Sequence, residues 1–188
     1  MTSCVLLDVW AVRALLVAAL LASAPGQAHA ADAWELLGPA RIGASFDGVS
    51  QNVTLACGKE AARRVCTASS QAPIVFAGLP VARIEAVFDD SRLEQVKVTL
   101  GNQHYEDLFR VLTTRYGEGE DRSFLARAGM AGDFVAGVYI WRTAALSLVL
   151  EEYAGKIDRS ALTYGTDSSM AALLRKTNSY PRGAHRDL

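Results

Sequence analysis

Cys57 and Cys66 are the first residues of this chain to ask for chemistry. Eight residues separate them, so they are not a C-x-x-C redox motif. After the first 30 residues only His104 and His185 remain as histidines, too few to complete a four-ligand structural zinc site at short spacings. Two cysteines in an exported chain most often pair, which predicts a Cys57–Cys66 disulfide. Reduced core thiols and a redox pair are the alternatives.

The other polar groups offer less. His104 stands beside Glu106 and Asp107, but residues 31–188 hold no Gly-x-Ser-x-Gly that would present a nucleophile to it. A solvated first helical turn accounts for the three residues, the acids favouring the helix dipole. Asp89 and Asp90 suggest paired carboxylates or calcium. A four-residue loop supplies too few oxygens for a cation that takes about six to eight, and turn chemistry explains them. Glu118, Glu120, Asp121 and Asp133 form a looser acidic set, read as a solvated loop with a cation or partner site as the alternative. Tyr153-Ala154-Gly155-Lys156-Ile157-Asp158 lacks the upstream glycine of a phosphate loop and reads as a turn with a surface ion pair. Trp141 is read as core rather than as a binding platform. No catalytic, cofactor-binding or metal-binding residue emerges, and the expectation is a protein that is not an enzyme.

The elements that would position these groups begin after a leader. Arg13 precedes an apolar run over residues 14–22, Pro25-Gly26 breaks it, and Ala28-His29-Ala30 presents small residues to a signal peptidase. The run is shorter than the about 20 residues a membrane span needs. Residues 1–30 therefore read as a cleaved signal peptide that removes Cys4 as well, with a periplasmic or secreted domain starting at Ala31. No second long apolar segment follows, so no transmembrane segment is expected in the mature chain. The net charge of −1, with no basic stripe, argues against nucleic acid.

Residues 31–176 are expected to be one domain, and 177–188 a disordered tail. Ser45 is placed to cap a helix over 46–56, with Phe46, Val49, Val53 and Ala56 on one face. Short extended segments follow at 64–67 and 74–76, the first separated from the second by a break around Ser69-Ser70-Gln71 and Pro73. Alternation over 81–88 and 93–100 predicts a hairpin turning at Asp89-Asp90-Ser91-Arg92. Asn102 is placed to cap a helix over 103–116 whose apolar stripe is Tyr105, Leu108, Phe109, Leu112 and Tyr116, with Gly117 as its stop. Residues 118–137 read as a long mobile loop, with room for one short strand. A second hairpin spans 138–142 and 146–153, then come a polar turn, a strand over 161–164 and a helix over 168–176. The fold class is α+β: a two-layer sandwich of an antiparallel sheet with helices on one face, the element order suggesting tandem helix-hairpin halves.

Gly43-Ala44-Ser45 followed by Val49, and Phe88-Asp89-Asp90-Ser91-Arg92-Leu93, carry a resemblance. Residues 42–100 resemble the SmpA-type outer-membrane assembly domains and β-lactamase-inhibitor-like folds of bacterial periplasmic proteins. Cys57-Gly58 stands where that family ends its first helix with Leu-Gly-x-Pro. The resemblance implies an α+β fold and an envelope location, and carries no catalytic residue. The functional expectation is a non-catalytic exported envelope protein that binds another protein or a cell-wall component, without a cofactor. A small-ligand-binding periplasmic domain and an enzyme with a carboxylate site are the alternatives.

Overall fold

The structure, a computed structural model, describes residues 37–38, 41–51, 53–60, 63–69, 74–127, 132–179 and 185–187. The expected signal peptide lies outside them, as do residues 70–73 of the expected break.

Period-two alternation builds the centre of the molecule. β4 (Leu79–Asp89) and β5 (Arg92–Gly101) pair antiparallel, joined through Asp90 and Ser91. Both turn residues have positive φ, 43° and 64°, as a two-residue type I′ hairpin requires. Ile84, Ala86 and Phe88 on β4 and Val96, Val98 and Leu100 on β5 are buried, while Lys97 is exposed. This is the register that the alternation predicts.

The sheet grows outward from this hairpin. On one side lie β2 (Arg63–Ser69) and then β1 (Thr54–Glu60). On the other come β11 (Arg159–Gly165), β10 (Ser147–Glu151), β9 (Val138–Arg142) and the short β6 (Glu120–Asp121). β3 (Val75–Phe76) folds back on the start of β4. All nine strands pair antiparallel. A three-stranded sheet completes the set, in the order β12 (His185–Asp187), β7 (Phe124–Arg127), β8 (Asp133–Ala136), with β12 parallel to β7.

Three α-helices are described. α1 is the single turn Phe46–Ser50, capped as expected by the Ser45 hydroxyl, which accepts from the Gly48 N–H at 3.2 Å. α2 (Tyr105–Tyr116) follows a 3₁₀ turn at Asn102–His104 and stops at Gly117, whose φ is 80°. α3 (Asp167–Asn178) is capped by Thr166.

Two cores form. Tyr105, Leu108 and Leu112 of α2 pack with Leu148 and Leu150 of β10, Leu162 and Tyr164 of β11, and the buried face of β4 and β5. Met170, Leu173 and Leu174 of α3 pack with Val149 of β10, Val138 and Ile140 of β9, and Phe124, Ala126 and Ala136 of the small sheet. Alternate residues of β10 therefore belong to different cores. Both faces of β9 and β10 are covered, in place of one helical layer. The near-continuous apolar run of residues 146–150 is the sequence counterpart of that double burial.

Four local expectations change. The helix from Phe46 stops at Ser50, because residues 54–60 pair strand to strand with 63–69. The backbone groups that a longer helix would have satisfied internally are satisfied by the β1–β2 ladder instead. Asn102 opens a 3₁₀ turn but makes no capping bond with its side chain. The described residues of 118–137 hold three strands, β6, β7 and β8, where a long loop with one short strand was the reading. Thr177 and Asn178 close α3, and residues 185–187 pair with β7, where a disordered tail was expected.

Candidate functional site

The β1–β2 ladder sets the cysteines. Cys57 stands directly opposite Cys66, and the two are joined in a disulfide. Their Cα atoms are 4.0 Å apart. That matches the narrow, non-hydrogen-bonded class of antiparallel pair, near about 4.5 Å, rather than the wide class near about 5.5 Å. At such a residue the N–H and C=O point away from the partner strand. Cys57, and by the two-residue period Leu55, thus turn their backbone groups toward the outer edge of β1. Among the described residues β1 has one neighbour, β2. Thr54, Ala56, Cys57 and Gly58 are exposed, whereas Cys66 is fully buried.

The acidic candidates do not converge. Among the described residues no three of His, Cys, Asp and Glu come together to hold a metal ion. Asp90 sits in the hairpin turn, and that turn is sewn to the entry of α1. Phe46 N–H donates to the Ser91 carbonyl at 2.7 Å, and Arg92 Nη1 donates to the Gly43 carbonyl at 3.0 Å. Phe46 packs edge-on to Phe88 at 5.1 Å. The two segments that carried the family resemblance thus meet as backbone partners. Glu120 bridges Arg122 and Arg142. The hydrogen bond from Arg142, with help from Arg122, holds its carboxyl below the usual glutamate range. Asp121 accepts from the Ser123 N–H at 2.8 Å. Glu118 and Asp133 are exposed. Asp107 pairs with Arg110 at 3.2 Å, and His104 lies in the 3₁₀ turn before α2. Lys156 and Asp158 are exposed in the polar turn, which closes through Ala154 N–H to the Arg159 carbonyl. Trp141 is in the core, its Nε1 donating to the Gly117 carbonyl at 2.8 Å.

A polar cluster that the sequence does not advertise lies under the start of α2. One residue beyond the paired row Val138–Glu151–Ala161, the strands bring Gly137, Glu152 and Ser160 side by side. The Gly137 N–H donates to Glu152 Oε2 at 3.0 Å. Tyr105 reaches down from α2 so closely that a Cβ on Gly137 would lie 2.3 Å from its hydroxyl and 3.1 Å from Glu152 Oε2. Tyr153, held at φ 55°, lies beside Glu152 and Asn102. Three oxygens here are buried without a hydrogen-bond partner: Tyr105 Oη, Asn102 Oδ1 and Ser160 Oγ. Burial pushes the Tyr105 phenol well above the usual tyrosine range, and the negative charge of Glu152 pushes the same way. Only the register of three strands places these residues together, so no spacing in the sequence signals them.

No protein-family model matches the chain, and no curated protein matches it. A cysteine-rich secretory protein of Staphylococcus aureus aligns with the chain at a TM-score of 0.43 and 7% identity. The alignment covers 72% of this chain and 46% of that one, so this chain spans just under half its length.

Proposed function

We propose that the protein is an exported, non-catalytic envelope protein that binds an extended segment of a partner protein as an added strand along β1. The edge of β1, open among the described residues, carries the reading. Natural sheets blunt their edges with proline, bulges or inward charges. Residues 54–58 carry none of these, the charged pair Lys59-Glu60 lying at the end of β1 next to its turn, and β1 pairs with β2 in unbroken register. Thr54, Ala56 and Gly58 are small, so an incoming strand meets backbone rather than bulky side chains. Strand addition of this kind draws affinity from main-chain hydrogen bonds. The disulfide holds the edge flat against β2 before the partner arrives, which lowers the ordering cost of binding. The Ala28-His29-Ala30 site and the disulfide both support export to an oxidising compartment.

A photo-crosslinking residue in place of Ala56, in the producing cell, tests this. It should yield a discrete protein adduct, and Leu55→Pro, which removes an outward N–H, should abolish the adduct while the disulfide and far-UV spectrum persist. A crosslinker in place of Ile157 should give no such adduct. Equal adducts from both positions, or none from Ala56, would overturn the reading. The mass of the exported chain should correspond to residues 31–188.

A further inference from the structure

We propose that β1 selects an extended segment whose alternate residues are two apolar side chains and, at one end, an acidic one. This rests on the reading of β1 as an edge for strand addition, and it names the chemistry of the strand that the edge takes.

Register defines the face on which selection acts. Leu55, Cys57 and Lys59 stand opposite Ala68, Cys66 and Arg64. Cys57 and Cys66 form a narrow pair, so these alternate positions of β1 turn their N–H and C=O groups to the outer edge. Residues of an added strand in the rows of Leu55, Cys57 and Lys59 share their face in either strand direction. That face is the core side of the sheet. Ala68 and Cys66 are buried there, and Leu55 packs against the same core. Apolar residues in the rows of Leu55 and Cys57 thus carry the core one strand further. The opposite face of β1 bears Thr54, Ala56 and Gly58, small and uncharged, and places little demand on the intervening residues.

Charge sets the third position. Lys59 and Arg64 are like charges directly opposite each other, an unfavourable cross-strand pair. On its other side Arg64 is paired with Phe88, and its guanidinium lies 4.2 Å over the ring of Phe46. Neither strand neighbour of Arg64 is an acid. An acidic residue added to this row stands beside Lys59 and supplies the opposite charge, whereas a basic one adds a third like charge. Lysine on an edge strand also discourages indiscriminate pairing. Placed at one end of β1, it leaves residues 54–58 open and makes addition conditional on the charge of the incoming strand.

Fluorescence anisotropy with the purified exported protein tests this. The probes are labelled, terminally blocked peptides with the core valine-threonine-valine-threonine-glutamate, and the same core in reverse order. In one of the two orders the peptide should bind about tenfold more tightly with glutamate than with lysine at that position. Replacing either valine by serine should weaken binding, and Leu55→Pro should remove it. The preference for glutamate should shrink at high salt and reverse in Lys59→Glu. Lys59→Ser, which also relieves the repulsion with Arg64, should erase the preference and serves if Lys59→Glu does not fold. Equal binding of the glutamate and lysine peptides, a preference that survives both Lys59 variants, or no binding in either order would overturn the acidic and apolar class. The edge reading itself fails separately, on the absence of an adduct from position 56.

Discussion

Cys57 and Cys66 face each other across two antiparallel strands, one exposed at the sheet edge and the other fully buried beneath it. The bridge therefore fastens β1, which has one strand neighbour among the described residues, to the core; a helix over 46–56 would have made it a tie between a helix end and a strand. Closing this short loop stabilises by about 2.7 kcal/mol on the chain-entropy model. Replacing both cysteines with alanine should lower the melting temperature by about 5–10 °C without abolishing the fold. Peptide mapping under non-reducing conditions should find the two residues linked. Freely alkylated thiols in protein taken from its native compartment would count against the bond.

The register of β5 separates two adjacent residues. Val98 is fully buried and its neighbour Lys97 is exposed. Val98→Asp places an unpaired charge among Ile84, Val96 and Leu100, and should cost more than about 4 kcal/mol, enough to unfold a marginally stable domain. Lys97→Glu should stay within about 0.5 kcal/mol apart from the charge beside Glu85. Chemical denaturation of both variants decides the register. Small, equal effects would refute it.

Two strand glycines should respond oppositely to alanine. A Cβ on Gly165 would lie 2.4 Å from the backbone carbonyl of Glu94, which cannot swing away, and 2.6 Å from Ser169 Oγ. Gly165→Ala should cost about 1–3 kcal/mol by overpacking. Gly58 has open space at the same position and a φ that suits any residue. Gly58→Ala should be neutral or stabilise by up to about 1 kcal/mol, because it restricts the unfolded chain. Urea midpoints measured side by side test the contrast.

Glu120 gives a small acid-side stability change. Its folded carboxyl is held below the usual glutamate value of 4.5 by Arg142 and Arg122. A depressed carboxyl contributes stability above the unfolded value and loses it as pH falls through the folded one. The pair is half-exposed to solvent, so the contribution should be no more than about 1 kcal/mol. Glu120→Gln should lower stability at neutral pH, with the difference from wild type shrinking as pH falls below 4.5, vanishing only below the lowered folded value, and shrinking at high salt. A difference that persists in strong acid would contradict the assignment.

The β4–β5 hairpin, the cap at Ser45 and the stop at Gly117 were legible because each is written within a few neighbouring residues, while the loop read as Asp89-Asp90-Ser91-Arg92 narrows to Asp90 and Ser91 because Asp89 and Arg92 pair. Period-two alternation, a hydroxyl before a helix and a glycine at positive φ are local signals. The β1 strand was misread for a related reason. Phe46, Val49, Val53 and Ala56 keep helical spacing on paper. Residues 54–60 nonetheless take strand form, because pairing with 63–69 satisfies the whole backbone and tertiary context overrides a short amphipathic pattern.

Sequence alone determined the pairing candidates Cys57 and Cys66, the antiparallel character of the central strands and the residues that fill their inner face. These follow from composition, period and turn chemistry. Tertiary structure decided which strand is left at the edge among the described residues, and that β9 and β10 are buried on both faces. It also set Gly137, Glu152 and Ser160 in one row, with Tyr105 packed on Gly137. Those depend on sheet order and on register between strands distant in the chain. No short-range rule encodes which strand ends outermost, or which residues share a row across three strands.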